Sequence, residues 1–137
     1  MKLFSLLFVL ISVINFSNGQ SKTDSLIQKL AVAPPHEKAE IYGNLCWELK
    51  YSDFEKSLDY GQKAIDWAQK SGDSKKEGIY LSRVGVVYAI NGNYRESNRF
   101  SRQAISLFQK INNAVGIGNA LNTLGLNCEK LGEYDSS

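Results

Sequence analysis

Proline is nearly absent from this sequence: two residues, adjacent at Pro34 and Pro35, in a chain of 137. So few breakers leave long uninterrupted helices open to the rest of the chain. Histidine is rarer still, with His36 alone. One imidazole beside two prolines makes neither a metal cluster nor, without partners, a catalytic base. An excess of one charge is also missing. Sixteen basic residues against 14 acidic ones give a formal +2, a field too weak to point to nucleic acid or an anionic membrane. Removing Lys2 with the leader described below takes +2 to about +1. No apolar run reaches the ~20 residues that a membrane-spanning helix needs.

What is present starts at the N-terminus. Met1 and Lys2 precede an almost wholly apolar stretch from Leu3 to Ile14, and Ser17-Asn18-Gly19 follows it. A positive start, a short apolar centre and small residues at the exit describe a secretory signal peptide over residues 1–19. An uncleaved anchor is the alternative, and the shortness of the run speaks against it. The mature chain is then expected to be exported, to the periplasm or the extracellular space. Cys46 and Cys128 survive cleavage, and both stand at apolar-periodic positions. Two repeats apart in the phasing below, they lie too far from each other for a disulfide. Both are expected to pack in the core as small hydrophobes.

Downstream the sequence repeats itself. A shift of 40 places Gly78 on Gly118, Leu81 on Leu121, Val84 on Leu124, Gly85 on Gly125, Gly92 on Gly132, Tyr94 on Tyr134 and Ser97 on Ser137. The same shift backward places Tyr94 on Phe54, Ala104 on Ala64, Ile105 on Ile65, Gln109 on Gln69 and Lys110 on Lys70. Upstream of Phe54 the register slips by one, so that Val84 falls on Leu45 and Gly85 on Cys46. A one-residue deletion in the turn near Asp53 accounts for the slip.

Each unit reads as two helices, because apolar residues recur at three- and four-residue spacings. The first unit (37–73) predicts helices over Glu37–Tyr51 and Phe54–Lys70. The second (74–113) predicts Ser74–Asn91, a break at Asn91-Gly92-Asn93, and a helix that begins after Asn93 and runs to about Lys110. Capping boxes are expected at Ser52/Glu55, Ser74/Glu77 and Asn93/Glu96. The third unit (114–137) opens near Ala114, is expected to turn at Gly132, and ends incomplete at Ser137. Stacked units need about three repeats for stability. The chain is therefore expected to be a fragment of a longer protein, only marginally stable alone. Residues 20–36 supply a short helix over Asp24–Ala33 and a Pro-Pro linker.

These residues resemble the tetratricopeptide repeat family. Val84-Gly85, Tyr88, Gly92, Tyr94, Ser97 and Ala104 match its pattern in the second unit. The third unit shows Leu124-Gly125, Gly132 and Tyr134, with Cys128 in place of the aromatic; the first shows Leu45-Cys46, Leu49, Phe54, Ser57 and Ala64. The period departs from the family's usual length of about 34 residues and is similar to that of the longer repeats in kinesin light chains and bacterial regulators. The resemblance implies an all-α fold, with antiparallel helix pairs stacked as a right-handed solenoid. It also resembles the N-terminal part of exported bacterial sensors, in which a transmembrane helix and a histidine kinase or DNA-binding domain follow the repeats.

In such arrays the first helices of successive repeats line a binding surface. Carried over by position, that surface comprises Asn44, Trp47, Arg83, Val86, Asn119, Asn122 and Leu126. Asparagine and arginine can hydrogen-bond an extended peptide, and Trp47 can anchor it. The family's carboxylate-clamping pattern of lysines and asparagines is not reproduced. Gly116-Ile117-Gly118 lies in a helical pattern without a preceding strand, so it is no phosphate loop. No residue set presents itself for catalysis, a metal or a cofactor. The sequence thus points to a non-catalytic module that binds a protein or peptide. The alternative is the sensory segment of a membrane-bound signalling protein; an enzyme of unknown type ranks below both.

Overall fold

The computed structural model describes residues 17–135, and every element within that span is an α-helix. Up to residue 16, the expected leader lies outside the described residues. The chain divides into two units after Val32. The first holds α1 (Ser17–Val32). This helix is longer than the expected Asp24–Ala33, whose apolar spacing marks only its C-terminal half. The second unit holds α2 (Pro35–Leu49), α3 (Phe54–Lys70), α4 (Ser74–Ile90), α5 (Tyr94–Lys110) and α6 (Ala114–Asp135). None of these helices is long and apolar enough to cross a membrane.

Proline opens the second unit instead of breaking it. Pro34 is the N-cap of α2 in extended backbone, and Pro35 is its first helical residue. At that position the missing N–H has no helical partner to lose, and the fixed φ already suits a helix. The linker therefore shrinks to Ala33 and Pro34, and α2 begins two residues before the expected Glu37.

The next four helices start at Phe54, Ser74, Tyr94 and Ala114, each 20 residues after the last. The half-repeat is therefore as regular as the repeat. Three of the turns between them share one construction. Gly72, Gly92 and Asn112 take positive φ, at 68°, 80° and 54°. The amide after each reaches back five residues: Asp73 N to Ala68 O, Asn93 N to Tyr88 O and Asn113 N to Phe108 O, at 2.8–3.0 Å. These are Schellman closures, which satisfy carbonyls the helix end leaves free. The α2–α3 turn differs: Ser52 N and Asp53 N both donate to Leu49 O, with no left-handed residue. It is the turn at which the 40-residue register slips.

The caps stand one residue from where two of the boxes were expected. Asp53 Oδ1 accepts from Lys56 N at 3.1 Å, and Asp73 Oδ1 accepts from Lys76 N at 3.0 Å. Ser52 and Ser74 do not fill that role. The short aspartate carboxylate reaches the amide three residues on and complements the positive helix end. Asn93 is the N-cap of α5 but makes no side-chain cap bond. Asn113 Oδ1 accepts from Gly116 N at 3.0 Å, opening α6.

Each helix of the second unit packs on the next, and the first helices also meet, α2 with α4 and α4 with α6. Helices α3 and α5 do not approach each other. The arrangement is a series of adjacent helix pairs, consistent with a helical repeat. One apolar cluster runs through all of them, from Cys46 through Ala64, Val84, Val87 and Ala104 to Phe108 and Ala120. Each large apolar side chain buried there contributes roughly 1.5–3 kcal/mol. Tyr88 wedges the pairs together, stacked on Phe100 at 5.4 Å between ring centres and edge-on to Phe54 at 5.9 Å.

Two expectations for the third unit are corrected. Gly132 does not turn the chain: α6 runs through it to Asp135. Gly92 ends α4 where α5 folds back onto it, whereas no described helix folds back beyond Gly132. Glycine within a helix costs only about 1 kcal/mol, so the helix tolerates it. Cys128, expected in the core, is exposed, while Cys46 is buried; both are free thiols. Cys128 occupies the place of Tyr88 on a face that α5 covers in the second repeat and that lies bare in the third.

Candidate binding groove

A groove of about 870 Å³ runs across the first helices α2, α4 and α6. That volume suits a ligand-sized occupant. Helix α4 supplies one wall. Lys75, Ile79, Ser82, Arg83 and Val86 all line it, and their three- and four-residue spacings place them on one helical face. Helix α6 supplies the opposite wall with Val115, Gly116, Asn119 and Thr123, and the α5–α6 turn closes one side with Ile111, Asn112 and Asn113. Trp47 stands at the far end, on the last turn of α2.

The floor is Phe108, which reaches the groove from α5. Its ring fits between two glycines: a β-carbon on Gly78 would stand 2.6 Å from Cε1, and one on Gly116 would stand 2.7 Å from Cδ1 and Cγ. Only residues without side chains let α4 and α6 approach the ring so closely. The ring is 2% exposed and ties the groove to the core.

Arg83 sits half-buried between aromatics, its guanidinium 5.9 Å from the Trp47 ring and 5.7 Å from the Tyr80 ring. Its Nη1 donates to Asn44 Oδ1 at 3.3 Å. Lys50 Nζ lies 4.2 Å from the Trp47 ring centre and donates to the Trp47 carbonyl at 3.1 Å. Both cations exploit the negative face of an aromatic ring. Burial pushes the Tyr80 hydroxyl up to about 12, with Arg83 drawing it the other way and Glu40 and Asp73 adding to the rise. The Cys46 thiol is pushed up by its burial too, against the opposing pull of Ser57, Arg83 and Lys50.

Of the seven residues carried over by position, Trp47, Arg83, Val86 and Asn119 line the groove together. Asn44 stands behind Arg83 and orients it. Asn122 and Leu126 do not line it; both are exposed elsewhere on α6. Lys75, Ile79, Phe108 and the α5–α6 turn were not singled out from the sequence. Lys75 and Ile79 were within reach of it, since they precede Arg83 by eight and four residues on the same face. Phe108 was not, because its place beneath the groove depends on Gly78 and Gly116 meeting its ring from two different helices.

No family model matches the chain, and no curated protein does. The groove must therefore be read from its own chemistry. Its lining holds no histidine, cysteine or carboxylate. Among the described residues, no three histidine, cysteine, aspartate or glutamate side chains gather closely enough to hold a metal ion. His36 is exposed and 3.6 Å from Glu37.

Proposed function

We propose that the chain is an exported, non-catalytic interaction module of the tetratricopeptide type, a right-handed solenoid of helix pairs that binds a protein or peptide. One observation carries the reading: three successive first helices contribute side chains to a single groove whose floor is apolar and whose rim is polar. Further support comes from the helix spacing. The first helices touch while α3 and α5 stay apart, so the array curves toward the first helices and makes that side concave. Export rests on the leader pattern of residues 1–19.

Selection of peptides from a random displayed library against the immobilised chain tests the reading. Peptides should emerge whose binding falls at least about tenfold with Val86→Glu, which sets a charge on the apolar wall. Selected peptides indifferent to that substitution would place the binding surface elsewhere. Emergence of none would remove the proposal.

A further inference from the structure

We infer that the chain forms a weak homodimer, in which α6 pairs with the α6 of a second copy, antiparallel about a two-fold axis at Gly125. None of the residues this pairing uses lines the groove, so it stands or falls apart from the peptide-binding reading.

Gly118, Leu121, Gly125, Cys128 and Gly132 follow one another at alternating three- and four-residue spacings, which places them on one face of α6. All five are exposed. The stripe carries no charge. Gly78, Leu81, Gly85 and Tyr88 hold the same places on α4, and there a returning helix covers them. Phe108 of α5 packs against Gly78, and Phe100 and Ser101 pack against Gly85. The surface left bare on α6 is thus one that takes a helix at close range elsewhere in the same molecule.

Charge at the helix ends selects a second copy as the occupant. Helices α3 and α5 carry an acid in the first turn, Glu55 and Glu96, and a lysine in the last, Lys70 and Lys110. Each such residue complements the helix dipole. Among the described helices, α6 alone has neither an acid in its first turn nor a base in its last. Its last turn carries Glu133 and Asp135 instead. An antiparallel helix of the α5 kind would set its glutamate beside those acids and its lysine beside the positive start of α6. A second α6 does the reverse. Each acidic last turn then lies against the uncompensated positive end of the other helix.

Shape agrees with charge. With Gly125 on the two-fold axis, Leu121 of each copy enters the hole between Gly125, Cys128, Glu129 and Gly132 of the other. A β-carbon added at Gly118, Gly125 or Gly132 would meet nothing within 4 Å, so the two backbones have room to close. Closure takes Leu121, 52% exposed, out of water. Asn122 falls opposite Glu129 of the second copy, an amide facing a carboxylate, and both are exposed in the single chain. A single helix pair about 27 Å long buries less than the roughly 1,600 Å² of a standard interface. The dimer is accordingly transient, and the dilute chain exposes Leu121 and Cys128.

Sedimentation equilibrium of the intact chain, from about 1 μM to about 1 mM, tests the dimer. Monomer should give way to dimer within that range. Leu121→Asp, which sets an unpaired charge in the seam, should weaken the association at least about tenfold and leave the melt of the dilute chain unchanged. Cysteine chemistry tests the register. Gly125→Cys in a Cys128→Ser chain should give a disulfide-linked dimer under mild oxidation, because that position meets itself on the axis. The two native Cys128 residues stand about 9 Å apart along the helices, too far for a disulfide once the separation between helices is added. The unaltered chain should therefore stay unlinked under the same oxidant. A chain still monomeric at about 1 mM, or a dimer indifferent to Leu121→Asp, would overturn the inference. Ready linkage through the native Cys128 would overturn the antiparallel register. A synthetic peptide of residues 94–110 that holds this face more tightly than a second copy does would assign it to a helix of the α5 kind and overturn the homodimer.

Discussion

The ring of Phe108 fills the space that a side chain at Gly78 would need, so that a β-carbon there would lie 2.6 Å from Cε1. Forty residues on, the equivalent Gly118 has nothing within 4 Å of the same point. Two glycines matched by the repeat therefore do different things. Gly78→Ala should destabilise the fold by about 1–3 kcal/mol, as overpacking of a closed core does. Gly118→Ala should stabilise it by up to about 1 kcal/mol, the propensity difference in a helix interior. Urea unfolding of the two variants checks the contrast, and equal effects would refute it.

The same pairing divides two leucines. Leu81 is 5% exposed and Leu121 is 52% exposed. Leu81→Ala should cost about 2–5 kcal/mol, while Leu121→Ala should stay within about 0.5 kcal/mol. Denaturant midpoints decide between this and equivalence of the two sites.

Helix capping is testable at α4. Asp73, not Ser74, accepts the bond from Lys76 N. Asp73→Ala should lower stability by about 0.5–2 kcal/mol, and Ser74→Ala should change it little. A thermal melt in which Ser74→Ala is the more damaging would return the cap to Ser74.

The two thiols should react at very different rates. Cys128 is exposed, and Cys46 is buried with its thiol held in the protonated form by that burial. Since the thiolate is the nucleophile, a disulfide reagent should modify one thiol of the folded chain rapidly and the second only as the fold opens. Cys128→Ser should abolish the fast phase. Persistence of that phase would show that Cys46 is accessible.

Alkali should weaken the fold through Tyr80, whose hydroxyl is raised from 10.0 to about 12. A raised value means that the native state holds its proton where the unfolded chain has lost it. The stabilising contribution is complete below pH 10, shrinks above it, and is lost as pH passes about 12. Tyr80→Phe should make stability less dependent on pH in that window, as followed by denaturant unfolding at several pH values. An unchanged slope would mean that Tyr80 ionises freely.

Much of the architecture was legible in advance because it is local. Helices α3 and α5 begin and end where apolar spacing places them, at Phe54–Lys70 and Tyr94–Lys110. The 20-residue half-period was also there to be read, in Asp53, Asp73, Asn93 and Asn113 before each helix start, but the 40-residue match hid it. Asn127 gave no such sign. It is buried, and its Nδ2 donates to Ser97 Oγ at 2.7 Å and Asn98 Oδ1 at 2.8 Å. From sequence it is one more polar residue in an amphipathic helix.

By itself the sequence determined where the chain becomes helical and where it turns. Proline scarcity, short polar caps and glycine or asparagine in left-handed turns act within a few residues of themselves, so their consequences travel with the local sequence. Only the tertiary structure decided which faces are covered: why Gly78 is closed and Gly118 open, why α6 continues through Gly132, and why Arg83 meets Trp47 and Asn44. Those outcomes depend on partners 30 to 40 residues away, and a repeated sequence offers each face the same partner while the fold supplies it only where a neighbouring helix packs.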